Sequence, residues 1–443
     1  DPFFLCNFAI KFPVNTNWGA FNEPSSVSLI YKNWHLNKYI KHMRIGIIGG
    51  GAAGFFSAIA VKENYPEAKV VIIEKTRQLL SKVKVSGGGR CNLTNACDPQ
   101  DLYQAYPRGG RSLKKAFNLF NNKDCVEWFE SRGIPLVTQD DNCIFPVSQD
   151  SQSIIDCFLK ECKRLDVEIQ VGLAVKSINP KGEQFELDFD KNDVVSGTFD
   201  KLIVTTGGSP KRSGLEWLES LNHKIENPVP SLFTFNMPNE AVTKLMGIVV
   251  ENAIVSLPGI KLKSEGPLLI THWGMSGPAI LKLSAFGARI LSDKDYHFKI
   301  LVNWVNETSN DAILESLKAI EKEHSNKILA NYRPYALPDR LWMFLLEKGN
   351  LSSNKRWGEL GKKGMNKLLN LLSNDEYSVK GKITFRDEFV TCGGISLKSI
   401  DMANMQSKTC KNLYFAGEVL DIDAITGGYN LQAAWSTGFL AGK

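Results

Sequence analysis

The chain has 443 residues, 43% of them hydrophobic and 23% charged, which excludes a disordered, collagenous or coiled-coil description and leaves room for roughly two to four domains. Its 53 basic and 47 acidic side chains give a net charge of +6, compatible with small anionic ligands such as phosphates but too diffuse to argue for nucleic acid. No apolar run approaches the ~18 residues of a membrane span, and the nine scattered cysteines form no CxxC pair or Cys/His cluster, so neither a metal site nor a disulfide framework is supported and a reducing cytoplasm fits.

Residues 1–42 carry nine aromatic side chains, from Phe3 to Tyr39, without the tripartite build of a signal peptide. The character changes at Met43. We read 1–42 as a leader outside the core fold; the rival reading is an arm packed across the body.

Arg44–Ile48 is a β-branched run suited to a buried parallel strand. It leads into Gly49-Gly50-Gly51-Ala52-Ala53-Gly54, which contains GxGxxG at Gly49, Gly51 and Gly54. Phe55–Glu63 is apolar at helical spacing, and Lys69–Ile73 predicts a second buried strand ending at Glu74, 20 residues after Gly54. Gly49 permits a tight turn, Gly51 lets a pyrophosphate approach the backbone, and Gly54 lets the helix pack on the sheet. The helix N-terminus offers unpaired N–H groups to phosphates, and Glu74 suits ribose hydroxyls. The strand, helix and acid at these spacings turn a weak motif into a dinucleotide-binding signature.

Further along, Ser86–Asn95 is a second glycine cluster containing Arg90, Cys91 and Asn92. Leu202–Gly208 predicts a buried strand running into a glycine turn at Thr206 and Gly207. Residues 231–303 are strand-like with Gly and Pro breaks, and 310–374 are helical in pattern. There Lys355, Arg356, Lys362, Lys363 and Lys367 form a basic run that reads first as a solvated helix face. Finally, Leu413–Gly438 predicts a strand, an acidic loop with Asp421 and Asp423, a Gly427-Gly428 turn and a helix whose N-terminus faces an electron-rich ligand edge.

The stretches SGGGRCNLTN (86–95), CIFPVS (143–148), TTGG (205–208), THWGMSGPAIL (271–281), VTCGGISL (390–397) and YFAGEVLDIDAITGGYNLQAA (414–434) together resemble the two-dinucleotide-binding-domain flavoproteins. More narrowly, they resemble a bacterial family of NAD(P)/FAD-dependent oxidoreductases that includes a dehydro-bile-acid reductase and an aminoacetone oxidase. The resemblance spans nearly all of 43–443 and none of the leader. It departs at Ser209–Gly214 and at Asn404–Ser407, where the family often has other runs.

The resemblance implies an α/β fold: a Rossmann-like FAD-binding domain in two parts, 43–229 and 385–443, split by a β-barrel-like subdomain at 230–304 and a helical one at 305–384. It implies non-covalent FAD. Gly49, Gly51, Ala52, Ala53 and Gly54 then cradle the pyrophosphate, and Glu74 with Lys75 takes the adenosine ribose. Arg90, Cys91 and Asn92 lie along the phosphates and ribityl chain, with Thr206 and Gly207 also at the cofactor. The Val175 backbone meets adenine, Gly417 and Glu418 the ribityl chain, and Gly428, Tyr429 and Asn430 the flavin ring.

The flavin would carry the redox chemistry, with position and access supplied by the protein. No second GxGxxG appears, so NADH or NADPH enters as a transient co-substrate. His272 and Tyr429 are the candidate catalytic side chains, each with a structural alternative. Asp421 and Asp423 read as acid/base groups or loop caps. Three functions stay open: a cytoplasmic NAD(P)H-linked FAD-dependent oxidoreductase that passes a hydride through flavin N5 to or from a small organic substrate, a small-amine oxidase using oxygen, and a flavin-binding RNA-modification or redox-sensing protein. Oligomeric state is not legible.

Overall fold

The computed structural model describes residues 43–191, 197–384 and 390–443. The expected leader at 1–42 lies outside the described residues. Strand β1 (Arg44–Ile48) is buried from Ile45 onward, as its uninterrupted apolar run requires. Strand β2 (Lys69–Glu74) lies parallel on one side of it and Lys201–Val204 parallel on the other. Glu168–Val171 continues the sheet beyond β2, and Leu413–Phe415 beyond Lys201–Val204, again in parallel. Counted along the chain, these five strands stand in the order 3-2-1-4-5. Connections diverge on either side of β1, which opens a crevice at the carboxyl ends of the strands there.

Helix α1 (Ala52–Asn64) follows β1 and packs against the C-terminal helix Tyr429–Gly442. Small residues set that close approach: a Cβ at Gly438 would sit 2.9 Å from the Ala53 carbonyl oxygen, and one at Gly442 2.6 Å from the Ala60 Cβ. An aromatic cluster fills the space beneath, with ring centroids 4.7 Å apart for Phe56 and Trp128 and 5.4 Å for Phe158 and Trp435.

The chain leaves this module along Ile225–Ser231 and returns along Val390–Ile395, and the two crossings pair antiparallel, with Ser231 opposite Val390. Between them lies a second sheet. Its two edge strands, Asp375–Lys380 and Lys382–Ile383, are consecutive in the chain and separated only by Gly381. The first pairs with His297–Asn303 and the second with Thr234–Asn236, so one run of backbone joins both edges and the sheet curls closed.

The helices 310–323, 339–348 and 361–373 share one hydrophobic core with this sheet, centred on Trp304, Trp342, Trp357 and Tyr377. Asp375, buried, accepts from Trp304 Nε1 at 3.0 Å, from the Tyr377 hydroxyl and from Lys348 Nζ at 2.5 Å, tying helix to strand.

Two expectations about this insertion are corrected. Residues 375–383, assigned to the helical part, are the strands that close the sheet. The part expected to be β-rich contains the 16-residue helix Pro278–Asp293, started by Gly277 at φ +91° and Pro278 at its first turn.

Candidate functional site

One cavity of about 600 Å³ runs from the turn after β1, past the N-terminus of the C-terminal helix, to the inserted sheet. Its floor is the glycine turn. Gly49 has φ +116°, and a Cβ there would meet the Thr205 carbonyl oxygen at 2.5 Å. The Thr205 hydroxyl donates to the Gly49 carbonyl at 2.9 Å and fixes the turn to the neighbouring strand end. A Cβ at Gly54 would collide with the Gly49 carbonyl oxygen, so this glycine serves close packing beneath the floor. Gly51 differs: a Cβ there would meet nothing within 4 Å. The missing side chain leaves free space above the first turn of α1, where backbone N–H groups lack intrahelical partners.

Glu74, at the end of β2, accepts from the Gly50 N–H at 2.8 Å through Oε2. Through Oε1 it accepts from the Thr76 N–H and hydroxyl, both at 2.9 Å. The acid is thereby locked to the glycine turn, with a lone pair on Oε2 remaining for a further donor. Lys75 lies beside it on the wall.

The opposite part of the site comes from the C-terminal segment. Gly417 (φ +77°) and Gly428 (φ +89°) adopt conformations that favour glycine, and a Cβ at Gly428 would lie 2.5 Å from the Thr94 carbonyl oxygen. The Asn92 amide, oriented to satisfy its neighbours, donates to the Thr94 carbonyl at 3.0 Å and accepts from the Gly428 N–H at 3.2 Å. Asn430 accepts from the Ala424 N–H at 3.0 Å and donates to the Ala424 carbonyl at 3.1 Å, which fixes the acidic loop over the helix start.

Gly49, Gly51, Ala52, Ala53, Glu74, Lys75, Asn92, Thr206, Gly207, Gly417, Glu418, Gly428 and Asn430 thus line one cavity. Other candidates lie elsewhere. Arg90 donates to the Gly87 carbonyl at 3.2 Å and to Gln149 at 3.3 Å, and its guanidinium lies 4.2 Å from the centre of the Phe145 ring. Cys91 is fully buried, and burial pushes its thiol up to about 12, which removes the thiolate needed for reaction. Val175 pairs with Phe189 in a separate three-stranded sheet.

Tyr429 faces Tyr106, with ring centroids 6.3 Å apart, and burial raises its phenol well above the usual range. His272 is exposed in the turn between two inserted strands, edge-on to Trp273 with centroids 4.4 Å apart. Neither candidate catalytic side chain is therefore on the cavity wall. Asp423 is engaged by Arg108 and by the Ser231 hydroxyl at 2.6 Å, and Asp421 by Arg289 at 3.3 Å. Burial pushes both carboxyls up against the pull of those arginines.

Sequence reasoning missed the wall formed by the insertion: Ser231, Leu232, Thr234, Ser276, Leu281 and Ile383. It also missed Lys82, which lines the cavity and pairs with Glu418 at 2.6 Å. The one available signal was the Gly277-Pro278 helix start, which brings Ser276 and Leu281 to the wall. Among the described residues, no group of three or more His, Cys, Asp or Glu is placed to hold a metal, and no helix is long and apolar enough to cross a membrane.

An open cradle over Gly51, two helix N-termini and a fixed acid at a strand end fit a dinucleotide, so fold and cavity define a Rossmann-type dinucleotide-binding protein. Residues 43–443 match the family described as HI0933-like protein Rossmann domain, and the chain belongs to that family of FAD-dependent oxidoreductases. It is similar to a 3-dehydro-bile acid delta(4,6)-reductase of Clostridium scindens, 27% identical over 90% of this chain and 98% of the relative. It is also similar to a ribosomal RNA dihydrouridine synthase of Escherichia coli, 28% identical over 88% of this chain and 95% of the relative. Among solved structures, a 3-ketosteroid delta1-dehydrogenase of Sterolibacterium denitrificans covers 91% of this chain and 99% of its own at 11% identity and a TM-score of 0.49, a likeness that carries no argument about chemistry.

Proposed function

We propose that this protein is a reductase that takes reducing equivalents from NADH or NADPH and delivers a hydride to a carbon–carbon double bond conjugated with a carbonyl. Bound FAD would supply the hydride relay between donor and acceptor. Gly51 and the N-terminus of α1 would hold the diphosphate, and Glu74 the adenosine ribose. Glu418 and Asn92 would flank the ribityl chain, and the helix start at Gly428 would meet the flavin ring.

The observation that carries the substrate side is the wall formed by the insertion. Ser276 offers a hydroxyl there, and Leu232, Leu281 and Ile383 offer aliphatic surface, while the Ser231 and Thr234 hydroxyls already donate to Asp423 and to the Ile383 carbonyl. Such a wall can hydrogen-bond a carbonyl and pack an apolar skeleton. It presents no carboxylate or aromatic cage for an ammonium among its described residues, which disfavours the amine-oxidase reading. Both kinds of relative bear names that denote saturation of such a bond: a delta(4,6)-reductase on a 3-dehydro-bile acid, and a synthase of dihydrouridine, which is uridine with its ring double bond reduced.

A second reading, reduction of uridine within ribosomal RNA, is supported by the Escherichia coli relative and by the basic run at Lys355–Lys367. The eight described cysteines are all free, which suits a reducing cytoplasm.

The test is anaerobic mixing of FAD-loaded protein with NADH or NADPH, followed by a conjugated 3-oxo steroid or a ribosomal RNA transcript. The reading expects flavin bleaching by a nicotinamide and recovery on adding one acceptor. Bleaching by simple amines, with none by either nicotinamide, would contradict it.

A further inference from the structure

We infer that the Ser276 hydroxyl is the electrophilic anchor of the substrate: it holds the carbonyl oxygen of the acceptor and stabilises the charge that gathers there as the conjugated double bond is reduced. This deepens the reductase reading and rests on it. It also gives the stretch 271–281 a role that His272, exposed and off the cavity wall, does not supply.

Strand alternation sets the direction of the side chain. Phe235 pairs with Met275 in the inserted sheet, and both are fully buried in its core. Their neighbours Thr234 and Ser276 therefore face the other side, where both line the cavity, and Ile383, paired with Thr234, joins them there. Three hydroxyls reach the cavity from strands of this wall, those of Ser231, Thr234 and Ser276. Two are already spent: Ser231 donates to Asp423 at 2.6 Å, and Thr234 to the Ile383 carbonyl at 3.3 Å. The Ser276 hydroxyl has no hydrogen-bond partner among the described residues, and the residue is partly exposed, so it can donate to a ligand.

The backbone around Ser276 is held on both sides. A Cβ at Gly274 would lie 2.1 Å from the Phe235 carbonyl oxygen, and one at Gly277 2.7 Å from the Pro267 carbonyl oxygen. Neighbouring strands thus press on the chain just before and just after the serine. Leu232, Leu281 and Ile383 share the wall with it, and in such surroundings a hydrogen bond to a growing negative charge is stronger than in water.

The reduction needs a donor at this place. Two electrons arrive with the hydride on the carbon of the double bond farther from the carbonyl. The π pair then moves toward the carbonyl carbon, the carbonyl pair moves onto oxygen, and an enolate results. A proton from water on the nearer carbon completes the saturated ketone, and the nicotinamide is the source of the hydride. Charge on the enolate oxygen is what the Ser276 hydroxyl would meet.

The experiment reduces the FAD-loaded protein anaerobically with a stoichiometric amount of NADH or NADPH. It then follows flavin reoxidation by whichever conjugated acceptor reoxidises wild type, the 3-oxo steroid or the ribosomal RNA transcript, and separately by oxygen. With the conjugated acceptor, Ser276→Ala should be reoxidised about tenfold to hundredfold more slowly than wild type. Its flavin content, melting temperature and reoxidation by oxygen should not change. Ser276→Thr, which keeps the hydroxyl, should retain most of the wild-type rate. A wild-type rate in Ser276→Ala would overturn the anchor while leaving the reductase reading standing. Equal slowing with oxygen would overturn it too, because the defect would then lie at the flavin and not at a carbonyl. So would a Ser276→Thr variant as slow as Ser276→Ala. A wild type that neither conjugated acceptor reoxidises would remove the reductase reading and the anchor with it.

Discussion

Arg108 grips Asp423 with two guanidinium nitrogens, and the carboxylate it holds is fully buried. The same guanidinium donates to the Ala285 carbonyl at 2.6 Å, and Asp423 accepts from the Ser231 hydroxyl at 2.6 Å. Three parts of the chain thus converge on one ion pair: the nucleotide-binding module, the C-terminal loop and the inserted unit. Ser231 also lines the cavity, so the pair fixes the substrate-side wall relative to the glycine turn. Removing one partner would strand a buried charge. Arg108→Ala should lower stability by about 3–5 kcal/mol in denaturant unfolding, whereas a paired Arg108→Met, Asp423→Leu variant should recover much of that loss.

The second and third glycines of the motif should respond in opposite ways. Gly51 has extended backbone, φ −96° and ψ −167°, and open space for a side chain. Gly51→Val should therefore fold with an unchanged melting temperature and bind FAD at least about tenfold more weakly. Gly54→Ala forces a Cβ against the Gly49 carbonyl and should lower stability by about 1–3 kcal/mol. Paired thermal melts and FAD titrations of the two variants read both effects.

His223 gives the fold a pH dependence. Its ring lies between the hydroxyls of Ser399 and Ser407, each at 3.0 Å, and burial pushes its pKa down to about 4. Unfolded chains bind the proton near the ordinary histidine value of 6.5, so between about pH 6.5 and 4 the unfolded state holds more protons. Stability conferred by the neutral ring is complete above that window and falls through it by about 3 kcal/mol, levelling off below. Denaturation midpoints across the window should show a shallower slope for His223→Gln than for wild type.

His272 sits in an exposed turn away from the cavity wall. His272→Ala should leave the rate of flavin reduction by a nicotinamide unchanged in anaerobic stopped flow. A large drop would return this histidine to the chemistry.

The glycine turn was legible because Gly49 and Gly54 answer backbone requirements that only glycine meets, Gly51 leaves space above the helix start, and the strand, helix and acid fall at fixed chain distances from them. The same holds for Gly417 and Gly428, whose positive φ values mark them as backbone devices. Side-chain direction was not legible. Arg90 and Tyr429 occur in the right segments yet turn toward Phe145 and Tyr106, because neighbouring rings compete for them. Residues 375–383 follow a helix with no break in composition, and their strand character comes from pairing with edges more than 70 residues away in sequence. Lys82 carried no motif; only its meeting with Glu418 across the cavity distinguishes it.

The central claim is that the cavity above Gly51 holds FAD, and its most direct measurement is the flavin content of the freshly purified protein. Heat-released cofactor should chromatograph as FAD at one molecule per chain, and Gly51→Val should release almost none. A folded wild-type protein that carries no flavin and takes up none on titration with FAD would contradict the account.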